Sequence, residues 1–375
     1  MVKPIKRRRR STKPRRTRTT ASPLINRLRL VIDIASMTAA ALKTLSPIPA
    51  IGKKRSTPKK AITGTNTVKR KTGDAIRANT SMHLRMGVHE CEHGTRRYKI
   101  YEPSTNRGSS KASPLLVMLH GCGQTPDDFA IGTGMNALAD QFGLIVVYPA
   151  QARDAHPNRC WNWFHPTVQN RGAGEPAILA SLTWEILQTY NVDPARVYIA
   201  GLSAGASMAL LMTSTYPELF AAVGVHSGLP AGAARDQASA MTAMQRGNPG
   251  ARLIHPIPTI IFHGSHDPVV NPRNGRLVAI RAREPHQSLH GAATNRQTPN
   301  GRAYTKTVYR KGSGRPLVEH WSIKASGHAW SGGTAKGRFT DPKGPDASRE
   351  MVRFFIRHKL SARKRSWLAS AQTSD

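Results

Sequence analysis

The chain has 375 residues and a formal net charge of +35, from 56 Lys or Arg against 21 Asp or Glu. Three cysteines are too few for a disulfide-built scaffold of this length. No apolar run reaches the roughly 20 residues that span a bilayer, because Leu28–Leu45 is broken by Arg29, Asp33 and Lys43.

Residues 1–80 carry 22 Lys or Arg against only Asp33 and Asp74, with runs such as Lys6-Arg7-Arg8-Arg9-Arg10. Such a run repels itself and has nothing apolar to bury, so residues 1–85 are expected to form a largely disordered basic arm. Within it, Leu28, Val31, Ile32 and Met37 predict a short amphipathic helix over 26–45. A secretory leader wants an apolar core of about 7–15 residues, and Asp33 interrupts the best candidate.

A folded domain is expected over 86–360, followed by a flexible tail over 361–375. Arg97–Tyr101 alternates as a strand does, and Pro114–His120 is the near-continuous apolar run of a buried parallel strand. A helix over Asp127–Phe142 follows, then a strand over Leu144–Tyr148, a loop over 152–174 and a helix over Glu175–Tyr190. Strands over Val197–Ala200, Ala221–Val225, Pro258–His263 and Glu319–Ile323 complete the sheet, with helices over Ala204–Tyr216 and Asp346–Lys359. Strands alternating with helices predict βαβ units and a mainly parallel sheet flanked by helices.

The strongest local pattern is Gly201-Leu-Ser203-Ala-Gly205, with a strand before it and a helix after it. That is the context of a nucleophile elbow, in which small neighbours let a serine sit on a sharp strand-to-helix turn. A serine hydroxyl needs a base to take its proton and an acid to orient that base. In an α/β-hydrolase these follow in the order Ser, Asp or Glu, His. Asp267 comes directly after the Pro258–His263 strand, and His328 lies in a Gly-flanked loop after the Glu319–Ile323 strand. Fifteen histidines compete for the base. His226 and His263 sit at strand ends as structural residues do, and His266 is the nearest rival to His328. Asp341 and Asp346 come after His328 and break the order.

An oxyanion hole needs backbone donors. The amide of Ala204 is one, and the amide of Cys122 in His120-Gly-Cys-Gly123 is the other expected donor. Cys122 and Cys160 fall on loops near the site and are expected to pair, although three free thiols satisfy the count equally well. Trp161, Trp163 and Trp330 are expected to line a groove for an apolar substrate; rings that only cover the core are the competing reading.

Six segments together resemble the polyhydroxybutyrate depolymerase family of esterases. They are His120-Gly-Cys-Gly-Gln124, Cys160-Trp-Asn-Trp-Phe164, Arg171-Gly-Ala-Gly-Glu-Pro176, Ala200-Gly-Leu-Ser-Ala-Gly205, His226-Ser-Gly-Leu-Pro230 and Gly327-His-Ala-Trp-Ser-Gly-Gly333. The resemblance spans residues 86–360 and implies a triad of Ser203, Asp267 and His328, with an oxyanion donor at Cys122. It implies poly(3-hydroxybutyrate), its oligomers or similar short-chain esters as substrates; feruloyl or acetyl esters of plant polysaccharides are the alternative. Neither metal nor organic cofactor is expected. Secreted members carry a linker and a C-terminal polymer-binding domain, whereas this chain ends soon after its last helix, so shorter or amorphous substrates are expected. The resemblance points to an extracellular location and the weak leader to a cytoplasmic one; both stay open. A reading from another class gives the basic arm an anionic surface or polyanion as partner, bound through charge neutralisation.

Overall fold

The computed structural model describes residues 84–361 apart from 107 and 300. The expected basic arm up to residue 83, its amphipathic helix and most of the tail lie outside the described residues; Leu84 and Arg85, assigned to the arm, open the first strand instead.

The sheet is built from β1 (Leu84–Cys91), β2 (Gly94–Tyr101), β3 (Ser113–Leu119), β4 (Ile145–Pro149), β5 (Val192–Leu202), β6 (Ala222–His226), β7 (Thr259–Gly264), β8 (His290–Gln297), β9 (Ala303–Arg310) and β10 (Pro316–Ile323). Their spatial order is β1-β2-β4-β3-β5-β6-β7-β10-β9-β8. The six central strands, β4 to β10, pair in parallel, and antiparallel pairs close both edges. Every residue of β3, β4, β6 and β7 is buried. Their runs of Val, Ile and Leu show no alternation because helices cover both faces.

The helices are α1 (Pro126–Thr133), α2 (Met135–Phe142), α3 (Gly174–Thr189), α4 (Ala204–Thr215), α5 (Gln237–Arg246), α6 (Arg273–Arg283) and α7 (Ala347–Phe355). From β3 the chain moves one way to β4, then back past β3 to β5 and onward through β6 and β7 to β10. Right-handed crossovers put α1 and α2 on one face and α3 to α6 on the other. α7 then returns to the first face, where Met351 and Phe355 pack on Gly224. The reversal lies between β3 and β5, and in open α/β sheets the crevice beyond such a switch point is where ligands bind. The segments His120-Gly-Cys-Gly123 and Ser203 leave the sheet there.

The single helix expected over Asp127–Phe142 is two helices, because Gly134 adopts a left-handed conformation (φ 62°), capping α1 and opening α2. The strands β1, β8 and β9 and the helices α5 and α6 are additions to the sequence reading. A short parallel pair, β11 (Trp330–Ser331) with β12 (Thr340–Asp341), sits just after His328. Among the described residues no helix is long and apolar enough to cross a membrane.

Candidate active site

β5 runs straight into Ser203 and α4 starts at the next residue. Ser203 holds φ 57° and ψ −120°, a conformation that L-residues avoid unless their surroundings impose it. Its neighbours make this turn fit. A β-carbon on Gly205 would land on the carbonyls of Leu119 and His120, and one on Gly201 would lie 2.7 Å from the Ala206 nitrogen. The two glycines therefore let β5, α4 and the end of β3 close on one another.

Asp267 and His328 meet directly. His328 Nδ1 lies 2.7 Å from Asp267 Oδ2, with the carboxylate side chain fully buried and the imidazole 13% exposed. Oδ1 of Asp267 accepts the amides of Val269 and Val270, each at 2.9 Å. Burial pushes this carboxyl up. The pull of His328 and the hydrogen bonds from His263 and His328 outweigh that, so it lies well below the usual carboxylate range. It stays ionised and can hold the His328 proton on Nδ1, leaving Nε2 free to act as a base.

The remaining histidines near this rim are occupied. His226 is wholly buried; its Nε2 accepts the Ser331 amide at 3.0 Å, which leaves the proton on Nδ1 to donate to Ser227 Oγ at 3.2 Å. Burial, with His263 and His328 nearby, lowers its pKa to about 3, so it is neutral. His263 donates through Nε2 to the Val270 carbonyl at 2.8 Å. The nearest rival, His266, is exposed and bonds Ser265 Oγ at 2.9 Å, not Asp267.

Around the expected oxyanion loop the amides are largely spent. Gly121 donates to Gln124 Oε1, Gly123 to the Asn158 carbonyl, and Gln124 to the Gly121 carbonyl. The Cys122 amide has no such partner among the described residues, and Ala204, at the first position of α4, carries one of the amides that a helix leaves unbonded. A disulfide joins Cys122 to Cys160. Behind it, Glu175 accepts from the Asn162 amide at 2.9 Å and from Gln151 Nε2, and Gln151 also holds the Cys160 carbonyl at 2.8 Å. The buried Arg96 completes this cluster by donating to Gln151.

The three tryptophans expected along a groove are in the core instead. Trp161, Trp163 and Trp330 are 0%, 6% and 1% exposed. Internal acceptors satisfy two of the indoles: Trp161 donates to the His120 carbonyl and Trp330 to Ser348 Oγ, both at 3.0 Å. Trp330 also stacks on His226, with ring centroids 5.1 Å apart. The polar clamp on the His328 loop is a further addition to the sequence reading. Asp341 accepts from Ser326 Oγ at 2.6 Å and from Arg302, whose other arm holds the Ala325 carbonyl at 2.6 Å. Asp341 comes too late in chain order to be the triad acid, and its place in the fold is to brace this loop.

The model of a family described as esterase PHB depolymerase matches residues 96–281, a stretch that includes Ser203 and Asp267. Poly(3-hydroxyalkanoate) depolymerase C of Paucimonas lemoignei is 35% identical over 239 residues, 59% of this chain and 56% of its own length. The poly(3-hydroxybutyrate) depolymerase of Ralstonia pickettii is 27% identical over 62% of this chain and 50% of its own length. The chain thus spans about half of each depolymerase. Feruloyl esterase B of Neurospora crassa is 32% identical over 53% of this chain and 73% of its own length. Among solved structures, an acetyl xylan esterase from Aspergillus awamori superposes with a TM-score of 0.54 at 20% identity, over 73% of this chain and 99% of that one, which shows a shared fold. This α/β-hydrolase chain belongs to the PHB depolymerase family of esterases.

Proposed function

We propose that the chain hydrolyses carboxylic esters through an acyl-enzyme, with Ser203 as nucleophile, His328 as base and Asp267 as the acid that orients it. The observation that carries this reading is the 2.7 Å bond from His328 Nδ1 to a buried, doubly amide-bonded Asp267, on the same end of the parallel sheet as the elbow serine. His328 Nε2 takes the Ser203 proton as the hydroxyl attacks the ester carbonyl. The amides of Cys122 and Ala204 receive the oxyanion. The alcohol leaves with that proton, and water, activated by the same imidazole, releases the acid. Poly(3-hydroxybutyrate), its oligomers and related short-chain esters are the proposed substrates, on the strength of the depolymerase relatives.

Ser203→Ala should abolish hydrolysis of p-nitrophenyl butyrate while circular dichroism and the melting temperature hold. Full activity in that variant would take Ser203 out of the mechanism. A second reading, aromatic or acetyl esters of plant polysaccharide, draws on the fuller coverage of the feruloyl esterase. Hydroxybutyrate oligomers, methyl ferulate and acetylated xylan assayed side by side separate the two.

A further inference from the structure

Three sequence segments, His120–Gln124, Cys160–Phe164 and Arg171–Pro176, meet behind the expected oxyanion loop. That loop is fastened to residues 158–161 in three ways. Trp161 Nε1 donates to the His120 carbonyl at 3.0 Å, and the Gly123 amide donates to the Asn158 carbonyl at 2.7 Å. The disulfide sets the Cα atoms of Cys122 and Cys160 4.3 Å apart. The amide of Cys122 is therefore placed only as firmly as residues 158–162 are.

A buried relay holds those residues. Glu175, in the first turn of α3, accepts the Asn162 amide at 2.9 Å on Oε2 and Asn162 Nδ2 at 2.8 Å on Oε1. Gln151 Nε2 donates to Glu175 Oε1 and, at 2.8 Å, to the Cys160 carbonyl. Arg96 donates to Gln151 Oε1 at 2.5 Å. The Gln151 amide also reaches His120, donating to Nε2 at 3.1 Å, and Nδ1 of that ring donates to the Gly121 carbonyl at 2.8 Å. Each bond runs in a forced direction. A guanidinium only donates and a carboxylate only accepts, so Gln151 turns its oxygen to Arg96 and its nitrogen to Cys160 and Glu175. Apolar side chains would fill this space without the cost of burying polar and charged groups. What the charged ends add is direction.

We propose that Glu175 is a positioning residue of the oxyanion hole, acting through Asn162 and Gln151 on the Cys160 loop and so on the Cys122 amide. The inference rests on the ester-hydrolase reading above. An oxyanion donor works when its nitrogen sits about 2.7–3.1 Å from the place the oxyanion will occupy, and a misplacement of about 1 Å can cost about 10² in rate. Glu175→Gln turns one carboxylate oxygen into an NH2 group that faces donors. Either the Asn162 amide or the pair of side-chain amides on Oε1 then loses its acceptor. Gln151 cannot answer by rotating, because that would set its nitrogen against Arg96. The misfit is passed to Asn162 and Cys160, and through the disulfide to Cys122.

The test compares hydrolysis of p-nitrophenyl butyrate with that of its thionoester, in which sulfur replaces the carbonyl oxygen. Sulfur is a weak acceptor, so the thionoester draws little from the oxyanion donors while using the same serine and imidazole. The ratio of the two rates on one preparation does not depend on how much of the protein is folded. Glu175→Gln should lower kcat on the ester by about tenfold, hold KM within about twofold and cut the ester-to-thionoester ratio by about tenfold. Gln151→Met, which removes the relay and leaves the start of α3 alone, should do the same. Arg171→Met is the structural control. Arg171 shares a segment with Glu175 but bonds Glu218 at 2.6 Å and covers the Tyr216 ring, so its loss should lower the melting temperature and leave the ratio at the wild-type value. An unchanged ratio in both Glu175→Gln and Gln151→Met, or an equal fall in Arg171→Met, would overturn the positioning role while leaving the esterase intact. A wild-type protein inert on p-nitrophenyl butyrate would remove the esterase reading and the positioning role with it.

Discussion

Asp267→Asn isolates the charge and polarity of the acid from its scaffolding. The carboxylate accepts two backbone amides on Oδ1 and His328 Nδ1 on Oδ2, and His263 Nε2 also lies 3.4 Å from Oδ2. Asparagine keeps an oxygen for the amides of Val269 and Val270, so the loop should hold its shape. Its Nδ2 then faces His328 Nδ1, and two donors cannot bond. The imidazole must accept at Nδ1 and move its proton to Nε2, where it cannot take one from Ser203. A wrong tautomer at this position of a serine triad costs about 10⁴ in kcat, or about 5.5 kcal/mol of transition-state stabilisation. The ionised carboxylate also stabilises the fold. Its folded-state pKa lies below the ordinary value, so that contribution is present above about pH 4 and fades as the pH falls further. The variant should therefore lose activity at every pH yet show a shallower loss of stability in acid. Steady-state kinetics on p-nitrophenyl butyrate and urea titrations at pH 7 and pH 3 measure both. A loss of kcat below tenfold, with the melting temperature unchanged, would refute the assignment of Asp267 as the orienting acid.

Removing the disulfide with Cys122→Ser and Cys160→Ser frees a link between residues 38 apart; loop-closure entropy sets its contribution at about 4 kcal/mol, and thermal melts of oxidised and variant protein should differ by about 7 °C. Melting curves that coincide would show that the covalent link adds nothing to the fold. Gly264→Ala puts a methyl group 2.5 Å from the Gly327 carbonyl and hard against Ser326, pushing the His328 loop off Asp267; kcat should drop by about 10², and wild-type turnover would contradict that close approach. Burial, foremost, lowers His120 and His320 to about 4 and His226 and His358 to about 3. Below about pH 6.5 the unfolded chain binds protons that the fold refuses, so stability should fall as pH drops from 6.5 toward 4. A urea midpoint at pH 5 equal to that at pH 7 would count against four imidazoles that the fold keeps neutral.

The parts of this molecule that can be read from its sequence are those whose physical cause is local. Gly201 and Gly205 flank the serine they serve, and β3, β4, β6 and β7 announce themselves as unbroken apolar runs because both their faces are covered. The tryptophans misled for the opposite reason. In a loop of Asn, Pro and Gly an indole looks like a surface ring, yet the acceptors that let Trp161 and Trp330 be buried come from His120 and Ser348, 41 and 18 residues away. β8 has no signature in the sequence because all eight of its residues are exposed, which leaves no contrast between its faces. The His328 clamp was hidden similarly. Chain order says what Asp341 is not, and only the fold brings it to Ser326 and Arg302.

Alongside the Asp341 clamp, a second set of ties across the rim has no side-chain signature. Beyond the strand ends the parallel ladder continues by single backbone bonds, from the Ser203 amide to the His226 carbonyl at 2.9 Å and from the Ser227 amide to the Phe262 carbonyl at 2.9 Å. It goes on from the Ser265 amide to the Ile323 carbonyl at 2.8 Å and from the His266 amide to the Ser326 carbonyl at 3.0 Å. These four bonds cross from the elbow through β6 and β7 to the loop that carries His328, so main-chain geometry fixes the spacing along the belt. It follows that truncating a side chain on the belt, as in Ser265→Ala, disturbs the rim less than adding one methyl group at Gly264, where the backbones touch. Precision here depends on glycine and main-chain contact, and these tolerate lost atoms better than added ones.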